Sequence, residues 1–80
     1  MSENIKDTYR ALAAAKEIFD GRDPVGDFSK ILVTTEHTIA AVLLSVMGGD
    51  ARKAAGMLNE GLVQGVEERI ALYASKERQP

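Results

Sequence analysis

Cysteine is absent from the 80 residues, which excludes a disulfide framework and any thiolate metal site and suits a reducing compartment. Tryptophan is absent too. Two tyrosines and two phenylalanines are the only aromatics, so an aliphatic, alanine-rich core of the kind helix packing favours is expected rather than a β-sandwich. His37 is the single histidine, and adjacent Glu36 points elsewhere on a helix; neither a metal site nor a cofactor is expected. Basic residues are not in excess: the formal charge of −2 leaves no global electrostatic footprint for nucleic acid. The longest apolar stretch, Thr38 to Met47, is too short to span a bilayer, and Met1-Ser2-Glu3-Asn4 lacks the basic and apolar regions of a signal peptide. A cytoplasmic protein without a membrane partner is the expectation.

What is present is helical periodicity. The chain reads as one all-α domain, 1–80, with helices over about 3–20, 28–47 and 50–75 and a loop at 21–27. Ser2 can cap the first helix, whose apolar stripe is Ile5, Tyr9, Leu12 and Phe19, and Gly21 follows its end. Gly21, Pro24 and Gly26 mark the loop, and Asp27 is an N-cap candidate for the second helix. Read alone, the β-branched run Ile31 to Thr35 suits a short strand. The stripe Phe28, Leu32, Thr35, Ile39, Val42 and Val46 nevertheless stays in helical phase across it, widened by Ile31, Thr38, Leu43 and Met47. Gly48-Gly49 ends this helix and Asp50 caps the third, with Ala51, Ala55, Leu58, Leu62, Val66, Ile70 and Tyr73 expected to face inward.

So wide an apolar stripe requires cover on more than one side, and a domain this small has little core of its own. The expected architecture is therefore a short N-terminal helix plus a long antiparallel helical hairpin, completed by self-association through Leu32, Ile39, Val42 and Val46. Gly56, Gly61 and Gly65 lie inside the third helical pattern, each at a cost of about 1 kcal/mol relative to alanine. Gly61 and Gly65 stand one turn apart and allow a close backbone approach, either by Ala40, Ala41 and Ser45 of the second helix or by another subunit.

No residue set supplies a nucleophile with its base, or a metal with its ligands, so an enzyme is not expected. Glu67 and Glu68 are sequence neighbours rather than one-turn partners, and Asp50 itself fills the helix N-terminus after Gly48-Gly49. Thr34, Thr35 and Thr38 can offer hydroxyls to a polar ligand or bond back to their own main chain.

Two stretches bear family resemblances. Met47 to Leu58, with its glycine turn, paired alanines and leucine, resembles the middle of the Fis-type helix-turn-helix, which implies DNA binding through Arg52, Lys53 and Arg69. Glu67 and Glu68 in the would-be recognition helix repel phosphate and argue against DNA. Tyr9-Arg10-Ala11-Leu12 and Glu17-Ile18, followed by a loop, a long helix, a tight turn and Leu58 to Val63, are similar to the small helical sponges that phages use against cyclic-oligonucleotide (CBASS) immune signalling. That resemblance implies a phage-encoded homo-oligomer in the host cytoplasm that sequesters cyclic oligonucleotides at a subunit interface without cleaving them. It implies that Tyr9 stacks on a base and that Arg22 or Lys30 meets a phosphate, with Thr34 nearby for a polar contact. Gly56, where those proteins often carry threonine, and the long loop after the first helix depart from the pattern. The alternative expectation is a small helical inhibitor or adaptor that docks an apolar face on a host protein.

Overall fold

The computed structural model describes residues 3–78, with side chains from Ile5 to Ser75. All regular structure among them is helical: α1 Glu3–Phe19, α2 Phe28–Val46, α3 Ala51–Met57, a π turn Leu58–Leu62, and α4 Val63–Arg78. Ser2, the cap expected for α1, lies outside the described residues. Two compact units meet at the Ile39–Ala40 bond, within α2.

In the first unit, α1 stops because the chain enters left-handed backbone at Asp20 (φ 47°) and Gly21 (φ 73°), a region that Gly, Asn and Asp tolerate best. The following loop is tied by carboxylates. Asp23 accepts from the amides of Val25 (3.3 Å) and Gly26 (2.9 Å), while Asp27 accepts from the Asp23 amide at 3.1 Å. Asp27 thus begins α2 through its main-chain carbonyl, which takes the Lys30 and Ile31 amides. Its side chain does not cap the helix as expected, because the loop holds it. The Ile31–Thr35 run is helical, and the hydroxyls of Thr34, Thr35 and Thr38 each donate to the carbonyl four residues earlier at 2.8–3.2 Å. Bonding back in this way lets threonines sit inside a helix.

In the second unit, α2 ends in a Schellman arrangement: Gly49 N–H donates to Leu44 C=O (2.8 Å), Gly48 N–H to Ser45 C=O (3.1 Å), and Gly48 has φ 63°. Asp50 then caps α3, its Oδ1 accepting from the Lys53 amide at 3.0 Å. Ala40, Leu43 and Leu44 at the end of α2 meet Ala51, Ala54, Ala55 and Leu58 around an apolar cleft of about 250 Å³. The third helix is not uniform, contrary to expectation. At the π turn the ladder widens, so that Val63 N–H reaches Leu58 C=O, five residues back. The Asn59 side-chain amide donates to the Ala55 carbonyl at 3.0 Å beside this change of register.

Burial corrects the expected faces. Only Ile31 (7% exposed) and Leu43 (8%) are buried among the described hydrophobic residues, and both flank the stripe expected to lead. Phe28, Leu32, Val42 and Val46 on that stripe are exposed, as are Ile5, Tyr9, Leu12 and Phe19 on α1 and Leu58, Val66, Ile70 and Tyr73 beyond α3.

Candidate functional site

Arg22 and Thr34, two of the four residues implicated in ligand contact, do come together. The Arg22 guanidinium donates to Thr34 Oγ1 at 3.3 Å, and Thr34 donates onward to the main-chain carbonyl of Lys30. The same guanidinium bonds the carbonyls of Ile18 and Phe19, and so closes the C-terminal end of α1, where a cation also complements the helix dipole. Arg22 is half-buried in this position, with its planar fork already engaged. Lys30, in the first turn of α2, is exposed.

Tyr9 lies elsewhere. It is 59% exposed, which removes the reading of this ring as a core residue between Ile5 and Leu12. Its position in α1 is nine residues before Ile18, where Arg22 is anchored, or about 13 Å of helix rise. Within one chain, Tyr9 and Arg22 do not close on a single small ligand.

Of the expected interface residues, Leu32, Val42 and Val46 present open apolar surface and Ile39 is half-buried. The 19-residue α2 is longer than the apolar run it contains, and by length and composition it is a candidate to cross a membrane, with a mean hydropathy of 1.2. Its midpoint, however, carries Glu36 and His37, both exposed. An ionised carboxylate at a bilayer centre costs at least roughly 2.5 kcal/mol, which argues against a span.

The glycines face open space rather than a neighbouring helix. A Cβ placed at Gly56 meets nothing within 4 Å; at Gly61 it meets only Met57 Sδ (3.0 Å), and at Gly65 only an Arg69 guanidinium nitrogen (3.4 Å). The expected intramolecular approach by Ala40, Ala41 and Ser45 is therefore not made. Two shallow clefts run along this face. One, of about 420 Å³, is bounded by Met47, Lys53, Gly56, Met57, Glu60 and Gly61. The next, of about 480 Å³, is bounded by Met57, Gly61, Leu62, Gly65, Val66 and Arg69. Met57, Glu60 and Arg69 were not anticipated as part of this face. The five-residue step from Gly56 to Gly61, against four from Gly61 to Gly65, was the signal in the sequence: a π turn converts that step into one turn of the helix.

No group of three metal-ligating side chains converges among the described residues. No family model, curated protein or solved structure matches this chain.

Proposed function

We propose that this chain is a non-catalytic binding protein that acts as a homo-oligomer in the cytoplasm and sequesters a cyclic oligonucleotide where copies meet. One observation carries the reading: each unit buries a single hydrophobic residue, Ile31 or Leu43, while α1, α2 and α4 all leave large apolar side chains open. A protein of this kind gains its missing core by association. The exposed Tyr9 ring supplies a stacking surface and the exposed Lys30 a phosphate-binding cation, while Arg22 positions the loop. Because Tyr9 and the Arg22–Lys30 region are too far apart along one chain to grip one ligand, Tyr9 of one copy and Lys30 of another complete the site.

Calorimetric titration with cyclic dinucleotides and trinucleotides tests this. Saturable binding that falls at least roughly tenfold in Tyr9→Ala and in Lys30→Ala supports the reading, each contact having an expected worth of 1–3 kcal/mol. Heat-silent titrations with every cyclic nucleotide would retire it. The open Leu32, Val42 and Val46 surface favours a second reading, docking on a host protein as inhibitor or adaptor. That reading predicts a stoichiometric complex that Val42→Glu abolishes.

A further inference from the structure

Resting on the reading of this chain as self-associating, we infer that the glycine face of α3, the π turn and α4 is the seam on which the same helix of a second copy crosses in antiparallel sense, with Glu60 of each copy beside the partner's Arg69.

The face is built for close approach. Gly56, Gly61 and Gly65 border consecutive clefts, so the π turn has gathered onto one side glycines that an unbroken α-helix would spread apart. Interhelical distance is set by the side chains at the crossing, and glycines bring two helices nearest. What covers Gly61 and Gly65 here is the thioether of Met57 and the guanidinium of Arg69, both the far ends of flexible side chains on the same helical run. Either can move aside without altering the backbone. Glycine inside a helix is destabilising, and no contact described within the chain offsets it.

The area fits a second copy. The chain leaves 6778 Å² accessible, whereas a folded monomer of its 8.6 kDa mass exposes about 4,700 Å². The surplus of roughly 2,000 Å² per chain is of the size that permanent homodimers bury.

Charge selects the orientation. Glu60 stands at one end of the face and Arg69 at the other, with Gly61 and Gly65 between them. A two-fold axis through the midpoint of Gly61 and Gly65 sets Met57 opposite the partner's Arg69, and Glu60 is only about 4.5 Å of rise from Met57. Both Glu60 carboxylates then lie within one turn of the partner's Arg69. A parallel crossing would instead set Glu60 against the partner's Glu60 and Arg69 against the partner's Arg69. The face is thus self-complementary in the isologous sense that two-fold symmetry demands.

Sedimentation equilibrium on the full chain tests this with charge reversal. Glu60→Arg alone and Arg69→Glu alone should each weaken self-association roughly tenfold, and the double variant should return it to within about threefold of the parent. Gly61→Leu should shift the mass towards monomer while circular dichroism retains the helical signal. A monomeric parent, single reversals that leave the mass unchanged, or a double variant no better than the singles would each overturn the seam. Nucleotide titration of the parent reads the ligand independently: a silent titration alongside the reversal-and-rescue pattern retires the sponge and leaves the seam standing.

Discussion

The units on either side of Ile39–Ala40 end their helices by different chemistry. Before that point, order depends on side chains: Arg22 closes α1, Asp23 and Asp27 tie the loop, and three threonines bond back along α2. After it, the turn is made by main chain alone at Gly48 and Gly49, with one carboxylate at Asp50 to begin the next helix. A side-chain lock tolerates any backbone-compatible sequence around it but fails when one polar group is lost. A glycine turn needs no side-chain partner and fails when a Cβ is added. Neither device makes a hydrophobic core, and one buried aliphatic residue per unit is what remains.

The largest effect expected from breaking this comparison is at those two residues. Ile31→Ala and Leu43→Ala should each cost about 2–3 kcal/mol in urea unfolding, at the lower end of the range for core truncations because both sites are shallow. Hydrogen exchange locates the loss: protection falling only in the mutated half identifies two separate folding units, and a common fall identifies one. Next, Gly48→Val should cost about 1–2 kcal/mol, since a β-branched residue is forced to φ 63°, with the thermal midpoint as the measurement. Arg22→Ala should cost about 1 kcal/mol and raise exchange across residues 20–26. Arg22→Lys should not restore it, because an ammonium lacks the planar fork that reaches two carbonyls and a hydroxyl together. The smallest effect has the opposite sign. Gly56→Ala meets no atom and should stabilise the isolated helix by about 0.5–1 kcal/mol, visible as greater helicity at high dilution.

Most of the helical layout was legible because helix ends are local events. Gly21, the Gly48-Gly49 pair and Asp50 announced their roles by residue type, and the structure places a helix end or start at each. Asp27 shows where that logic stops. Its position was legible, but its carboxylate had two candidate amides, and the loop geometry, not the residue type, assigned it to Asp23. Arg22 shows the same at the candidate site. A cation in a loop reads as a free phosphate ligand until its guanidinium is seen on the carbonyls of Ile18 and Phe19. For Tyr9, periodicity placed the ring on an apolar stripe, but a stripe is buried only if something covers it, and nothing within this chain does.

The sequence by itself determined that the chain is helical, where the helices break, and that catalytic and metal-binding sets are not recognisable in it. Those properties follow from backbone preference and from the chemistry of residues a few positions apart. Tertiary structure decided that Ile31 and Leu43 are buried rather than the leading stripe, that Arg22 and Thr34 meet, and that a π turn gathers Gly56, Gly61 and Gly65 onto one face. Each of these turns on small phase differences and on which competing partner is nearest. Such differences are worth about 1 kcal/mol or less in a single residue's preference, and packing resolves them.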